Sequence, residues 1–167
     1  AQPAWGDTAR TKEASVLLEG AGLIDVAAAN DPKLFAEPSS LSFGYLSVNG
    51  RTARKPLLLS LTDAGTGGGT WNVAVQPQAA TPGSSIAPST SSVTISPGGT
   101  VDLPIIATGS NGAPTGDDYG FVVLTRGADR VRIPYYFSVE YPQISRAPRT
   151  TLRVNQLGDT SNDTSYV

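Results

Sequence analysis

From Leu41 onward, apolar and polar positions alternate with a period of two, interrupted by turns rich in glycine and proline. The clearest run is 130–139. There Val131, Ile133, Tyr135, Phe137 and Val139 share one face of an extended strand, while Arg130, Arg132, Pro134, Tyr136 and Ser138 share the other. A slip of one residue would turn the whole apolar set to solvent, so this register is well specified. Val101, Leu103, Ile105 and Ala107 repeat the pattern, as do Leu57, Leu59 and Leu61, and Trp71, Val73 and Val75. These faces are the expected core. Strands are predicted over 41–48, 55–63, 70–76, 91–96, 100–107, 119–126 and 130–139.

The punctuation between them is explicit: Asn49-Gly50, Thr66-Gly67-Gly68-Gly69, Pro97-Gly98-Gly99 and Arg126-Gly127-Ala128-Asp129. Between Phe43 and Leu46 the alternation changes phase, which predicts a bulge near Gly44. Pro56, Pro104 and Pro134 fall within or at the ends of strands; lacking an N–H, each is expected at an edge, a bulge or a strand end. The stretch Gln78–Thr90 reads as loop or a weak crossing strand. The expected fold class is all-β: a seven-stranded fibronectin type III-like or immunoglobulin-like antiparallel sandwich with a short N-terminal helical segment.

That segment has a different pattern. Leu23, Ile24, Val26 and three alanines have the residue types of a short buried helix over about 23–30, entered through Gly20 and Gly22 and ended by Pro32. A helix of about ten residues is marginal alone in water, so it needs a packing partner. The block Gly20, Gly22, Leu23, Ile24, Asp25, Val26 and Ala28 resembles the closing helix of the catalytic domain in subtilisin-like serine proteases (subtilases). Upstream, Pro3–Thr11 and Glu13–Val16 resemble the segment that follows the nucleophile-bearing helix in large secreted members of that family. The pair 119–127 and 132–139 resembles the terminal hairpin of the sandwich domain that follows the catalytic domain in many bacterial subtilases. No Gly-Thr-Ser nucleophile motif occurs in the chain.

The resemblance implies three parts. Residues 1–37 would be the end of a subtilase catalytic domain plus a connector, 38–142 the sandwich, and 143–167 a polar linker or the start of a further module. It also implies a partner, the upstream catalytic domain of the same polypeptide, docked through Val16, Leu17, Leu23, Ile24 and Val26. Protein substrate is a second expected contact. The chain has no methionine, so a processed protein or a fragment is expected.

Composition narrows the chemistry. Hydrophobic residues make 39% and charged residues 16% of 167, with 18 glycines and 13 prolines, the profile of a turn-rich β protein with an uncharged polar surface. With a net charge of −2 nothing predicts nucleic-acid binding. Arg126, Arg130, Arg132, Arg146, Arg149 and Arg153 are expected on a solvated face. No apolar run approaches bilayer-spanning length. Histidine and cysteine are absent, which removes a Ser-His-Asp triad, thiol chemistry, disulfides and Cys/His zinc sites. No catalytic residue, cofactor or metal ligand is assigned. Asp117-Asp118 and Asp159–Asp163 are expected in surface turns rather than calcium loops, Glu13 and Glu19 toward solvent, and Gly67–Gly69 in a flexible turn.

Trp71 is expected in the core and Trp5 as an anchor for the N-terminal segment. Tyr45, Tyr119, Tyr136 and Tyr141 are expected to be partly exposed. Asn162-Asp163-Thr164 matches the glycosylation triplet without an assigned role. The functional expectation is a non-catalytic accessory domain of a secreted bacterial subtilisin-like endopeptidase, stabilising or positioning the catalytic domain; the alternative is an independent carbohydrate-binding or adhesion module. Oligomeric state is left open.

Overall fold

The computed structural model describes residues 2–141, so expectations for 143–167, including the linker and the glycosylation triplet, lie outside the described residues. Nine strands follow two short helices, α1 (Val16–Glu19) and α2 (Val26–Asn30). They are β1 (Leu34–Glu37), β2 (Leu41–Ser47), β3 (Ala53–Asp63), β4 (Gly69–Ala79), β5 (Ser84–Pro88), β6 (Ser92–Ile95), β7 (Thr100–Gly109), β8 (Gly116–Arg126) and β9 (Asp129–Glu140). The strands form two sheets, ordered β1-β3-β7-β5 and β2-β9-β8-β4-β6. All pairings are antiparallel except β2 with β9, which is parallel, a correction to the all-antiparallel expectation.

The rise from seven strands to nine has one cause. Consecutive β1 and β2 lie on different sheets, β1 on β3 and β2 on β9, and consecutive β5 and β6 do the same, on β7 and β4. Each pair is an edge element that crosses from one sheet to the other at a corner. β1 therefore occupies residues expected to be connector, and β5 lies within the stretch expected to be loop or a weak crossing strand. At the first corner the Glu37–Pro38 peptide is cis.

The core is where the alternation places it. Leu59, Leu61, Trp71, Leu103, Ile105, Ala107, Leu124, Phe137 and Val139 are fully buried between the sheets, with Ile133 and Tyr135 beside them. Phe43 meets Phe137 edge-on at 6.1 Å between ring centroids. The register of β2 on β9 shifts between Ser42 and Gly44, and Gly44 adopts a positive φ of 66°, which favours glycine at this bulge. Each of the three prolines singled out above sits where a shorter neighbour gives out. Pro56 is on β3 before β1 begins pairing at Ser60, Pro104 is one step beyond the β5 rung at Ile105, and Pro134 is one step before β2 starts at Tyr135. The missing N–H thus leaves no ladder bond unmade at those points.

Two expectations about polar residues are corrected. Asp117 and Asp118 lie in β8 rather than a surface turn, with Asp118 buried. The Gly67–Gly69 run is held fast rather than flexible. Asp63 Oδ1 accepts from the N–H groups of Gly65 (2.8 Å) and Gly67 (2.6 Å), and Trp71 Nε1 donates to Gly67 O at 2.8 Å. Arg126 donates to Gly68 O and, at 2.7 Å, to Thr66 O, while its guanidinium stacks 4.8 Å above Trp71.

Candidate functional site

β8 carries apolar residues on both faces. Val122 and Leu124 enter the core between the sheets, whereas Phe121 and Val123 face outward, which obliges something to cover the outer surface of this sheet. Residues 2–31 do so as a strap. Two isolated bridges, Gln2 with Leu23 and Trp5 with Glu13, fold the strap on itself. Helix α1, ended by Gly20, and α2, ended by Asp31, are too short for independent stability and are N-capped locally: Ser15 Oγ accepts from Leu17 N, and Asp25 Oδ1 from Ala28 N.

Val16 plugs the strap onto the sandwich. It packs with Phe121 and Val123, and Tyr119 lies against the same cluster. Gln78 of β4 holds the backbone on either side, accepting from Val16 N at 2.8 Å and donating to Ala14 O at 3.0 Å. Arg132 of β9, its side chain only 5% exposed, stacks 3.7 Å over the Phe121 ring and pairs with Glu13. Its Nε and Nη1 have no protein partner, so the ion pair is imperfectly compensated. Burying Val16 stabilises the strap by roughly 1.5–3 kcal/mol, whereas a desolvated ion pair is close to break-even. The valine therefore dominates attachment.

Glu19 completes this cluster, accepting from Ala4 N at 2.6 Å through Oε2 while Oε1 is buried without a partner. Burial, and then the Glu13 charge, raise its carboxyl above the usual range, opposed by the Ala4 N–H. The expectations of solvent-facing Glu13 and Glu19 and of a wholly solvated arginine face are thus corrected at Glu13, Glu19, Arg126 and Arg132.

Of the residues assigned to docking, the structure brings Val16 alone onto the sandwich. Leu17 (55% exposed), Leu23, Ile24 (85%) and Val26 face solvent, joined by Leu18 and half-exposed Trp5. Six of the nine exposed large apolar side chains among the described residues lie on this one strap, so the exposure is concentrated. Leu18 was missed in the sequence, although it shares the Leu17-Leu18 pair. Trp71 is buried as expected. The exposed aromatics Trp5, Phe35 and Tyr45 sit on the strap, β1 and β2 and form no row. No group of three carboxylates is placed to hold a metal ion among the described residues. The surface's chemistry is apolar association.

No family model matches the sequence, and no curated protein matches it. Solved structures similar to the chain include the ASH/PapD-like domain 7 of human CEP192, at 17% identity and a TM-score of 0.43 over 65% of this chain and 84% of that one. WR4, an MSP family member of C. elegans, is similar at 8% identity and a TM-score of 0.38, over 65% of this chain and 98% of that one. Vibrio cholerae VesB protease is similar at 8% identity and 0.39, over 83% of this chain and 40% of that one. None of these likenesses carries over an activity or partner. By its strand order the chain is an all-β, immunoglobulin-like sandwich bearing a folded-back N-terminal strap.

Proposed function

We propose that this chain is a non-catalytic accessory module of a secreted bacterial subtilisin-like endopeptidase, and that the strap is its docking face for the catalytic domain of the same polypeptide. The observation that carries the reading is the outward display of Leu17, Leu18, Leu23, Ile24 and Val26 on a strap that Val16 anchors to the sandwich. The Gly20–Ala28 block that resembles a subtilase closing helix is the part left uncovered, which suits a surface made for a neighbouring domain. Absence of histidine leaves this chain without the general base of a Ser-His-Asp triad, so peptide hydrolysis would belong to the upstream domain.

Two measurements test the reading. The pure chain should give neither fluorophosphonate labelling nor casein turnover; either would overturn its non-catalytic role. The sequence encoded upstream should carry a Gly-Thr-Ser motif, and a catalytic domain made from it should lose thermal stability when Leu18, Ile24 and Val26 of the attached module are changed to serine. An unchanged melting temperature would remove the docking role.

A further inference from the structure

A second surface, outside the strap, has the opposite chemistry. Tyr45, Leu46 and Ser47 of β2 and residues 51–55 leading into β3 line an open groove of about 540 Å³. β2 is the edge of its sheet, bonded only to β9, and β3 has no partner on its β1 side before Ser60. Two strand edges therefore flank the groove. Arg51, Arg54 and Lys55 supply its charge, and no carboxylate lines it. Arg51 and Arg54 are exposed, and none of the three cations makes an ion pair among the described residues, whereas Lys33, Arg126 and Arg132 elsewhere do. Lys55 reaches across to Phe43 O at 3.1 Å and lies 5.3 Å from the centre of the Tyr45 ring, itself 61% exposed. The nearest carboxylate by register, Glu140 opposite Ser47, contacts Ser138 instead.

We infer that this groove binds an acidic, extended polypeptide segment through Arg51, Arg54, Lys55 and Tyr45. Charge complementarity selects the occupant. Three cations within five residues, none in an ion pair among the described residues, form a local positive patch on a chain whose net charge is −2, and the remaining surface would repel a long polyanion. A second copy of the chain would bring the same cations, and Lys55 and Pro56 blunt the β3 edge against like strands. The chain's own continuation carries Arg146, Arg149 and Arg153 before its first carboxylate at Asp159, so it has the wrong sign. An extended peptide can in addition use the unpaired backbone groups of the β2 edge at Tyr45–Ser47, which a lipid headgroup cannot match in register.

The test is fluorescence anisotropy with the full chain and a labelled decapeptide alternating Glu and Asp with Val. The controls are its Gln/Asn counterpart, a single-stranded oligonucleotide and phosphatidylserine vesicles. The acidic peptide should bind and the Gln/Asn peptide should not. Raising NaCl from about 0.05 to about 0.5 M should weaken binding severalfold. The double variant R51E/R54E should weaken it by about tenfold or more and Y45A by a smaller factor, both with unchanged thermal unfolding. Failure of the acidic peptide to bind, binding indifferent to R51E/R54E, or equal or tighter binding of the oligonucleotide or vesicles would each overturn the inference.

Discussion

Asp118 points into the core from β8 and ties the corner at which the chain leaves one sheet for the other. Its Oδ1 accepts from Thr81 N at 3.0 Å and from Ser84 Oγ, while Oδ2 is buried without a protein partner. Asp118→Ala would strand both donors and should lower stability by about 1–3 kcal/mol in urea unfolding. Asp118→Asn retains an acceptor oxygen for both donors, so its loss should be smaller. Asp63 performs a similar task at the opposite turn, where the N–H groups of Gly98, Gly65 and Gly67 hold its carboxyl below the usual range. A depressed carboxyl stabilises the fold above its unfolded pKa, and that contribution is lost as pH falls through the folded value. Asp63→Asn should therefore flatten the acid limb of the melting-temperature profile. Gly67 is a third fixed point, because an added Cβ would lie 1.8 Å from Lys33 O. Gly67→Ala should destabilise by about 1–3 kcal/mol, the range for overpacking, read by the same unfolding curves.

The strap is held to the sandwich through a cluster of its own, apart from the principal core. Glu13 and Glu19 face a single guanidinium, Arg132, and Glu19 is raised by burial and by the Glu13 charge. A raised carboxyl contributes its stability in full below the unfolded pKa and loses it as pH climbs through the folded value. Strap attachment should weaken across that window, seen as faster proteolytic cleavage within residues 2–31 relative to a reference peptide. Glu19→Gln should remove this pH dependence while leaving the sandwich transition in place. Both faces of β8 are legible as the continuous run Phe121-Val122-Val123-Leu124, which signals cover on each side. What covers the outer face is not legible, since Val16 reaches it from 105 residues away and no local period links them.

On the scale of the whole molecule, the principal core begins at Leu34 and takes nothing from the strap. Removing residues 2–31 should leave a cooperative unfolding transition, with Phe121 and Val123 newly exposed and increased dye binding by apolar probes. Loss of cooperative unfolding would show that the strap is integral to the fold. The sequence by itself determined the all-β class, the seven long or strongly alternating strands, their inward faces, the bulge at Gly44 and the exclusion of imidazole and thiol chemistry. Side-chain period and residue chemistry are local properties, readable without partners. Only the tertiary structure decided the sheet changes from β1 to β2 and from β5 to β6, the parallel pairing of β2 with β9, and which side of the strap stays bare. Burial alternates along both β1 and β5, but outward Phe35 and Ala87 are apolar and inward Ser84 is polar, so neither segment spells that alternation in its residue types. Which strand an edge segment joins depends on backbone hydrogen bonds offered by distant chain, and those donors and acceptors are the same for every residue type except proline.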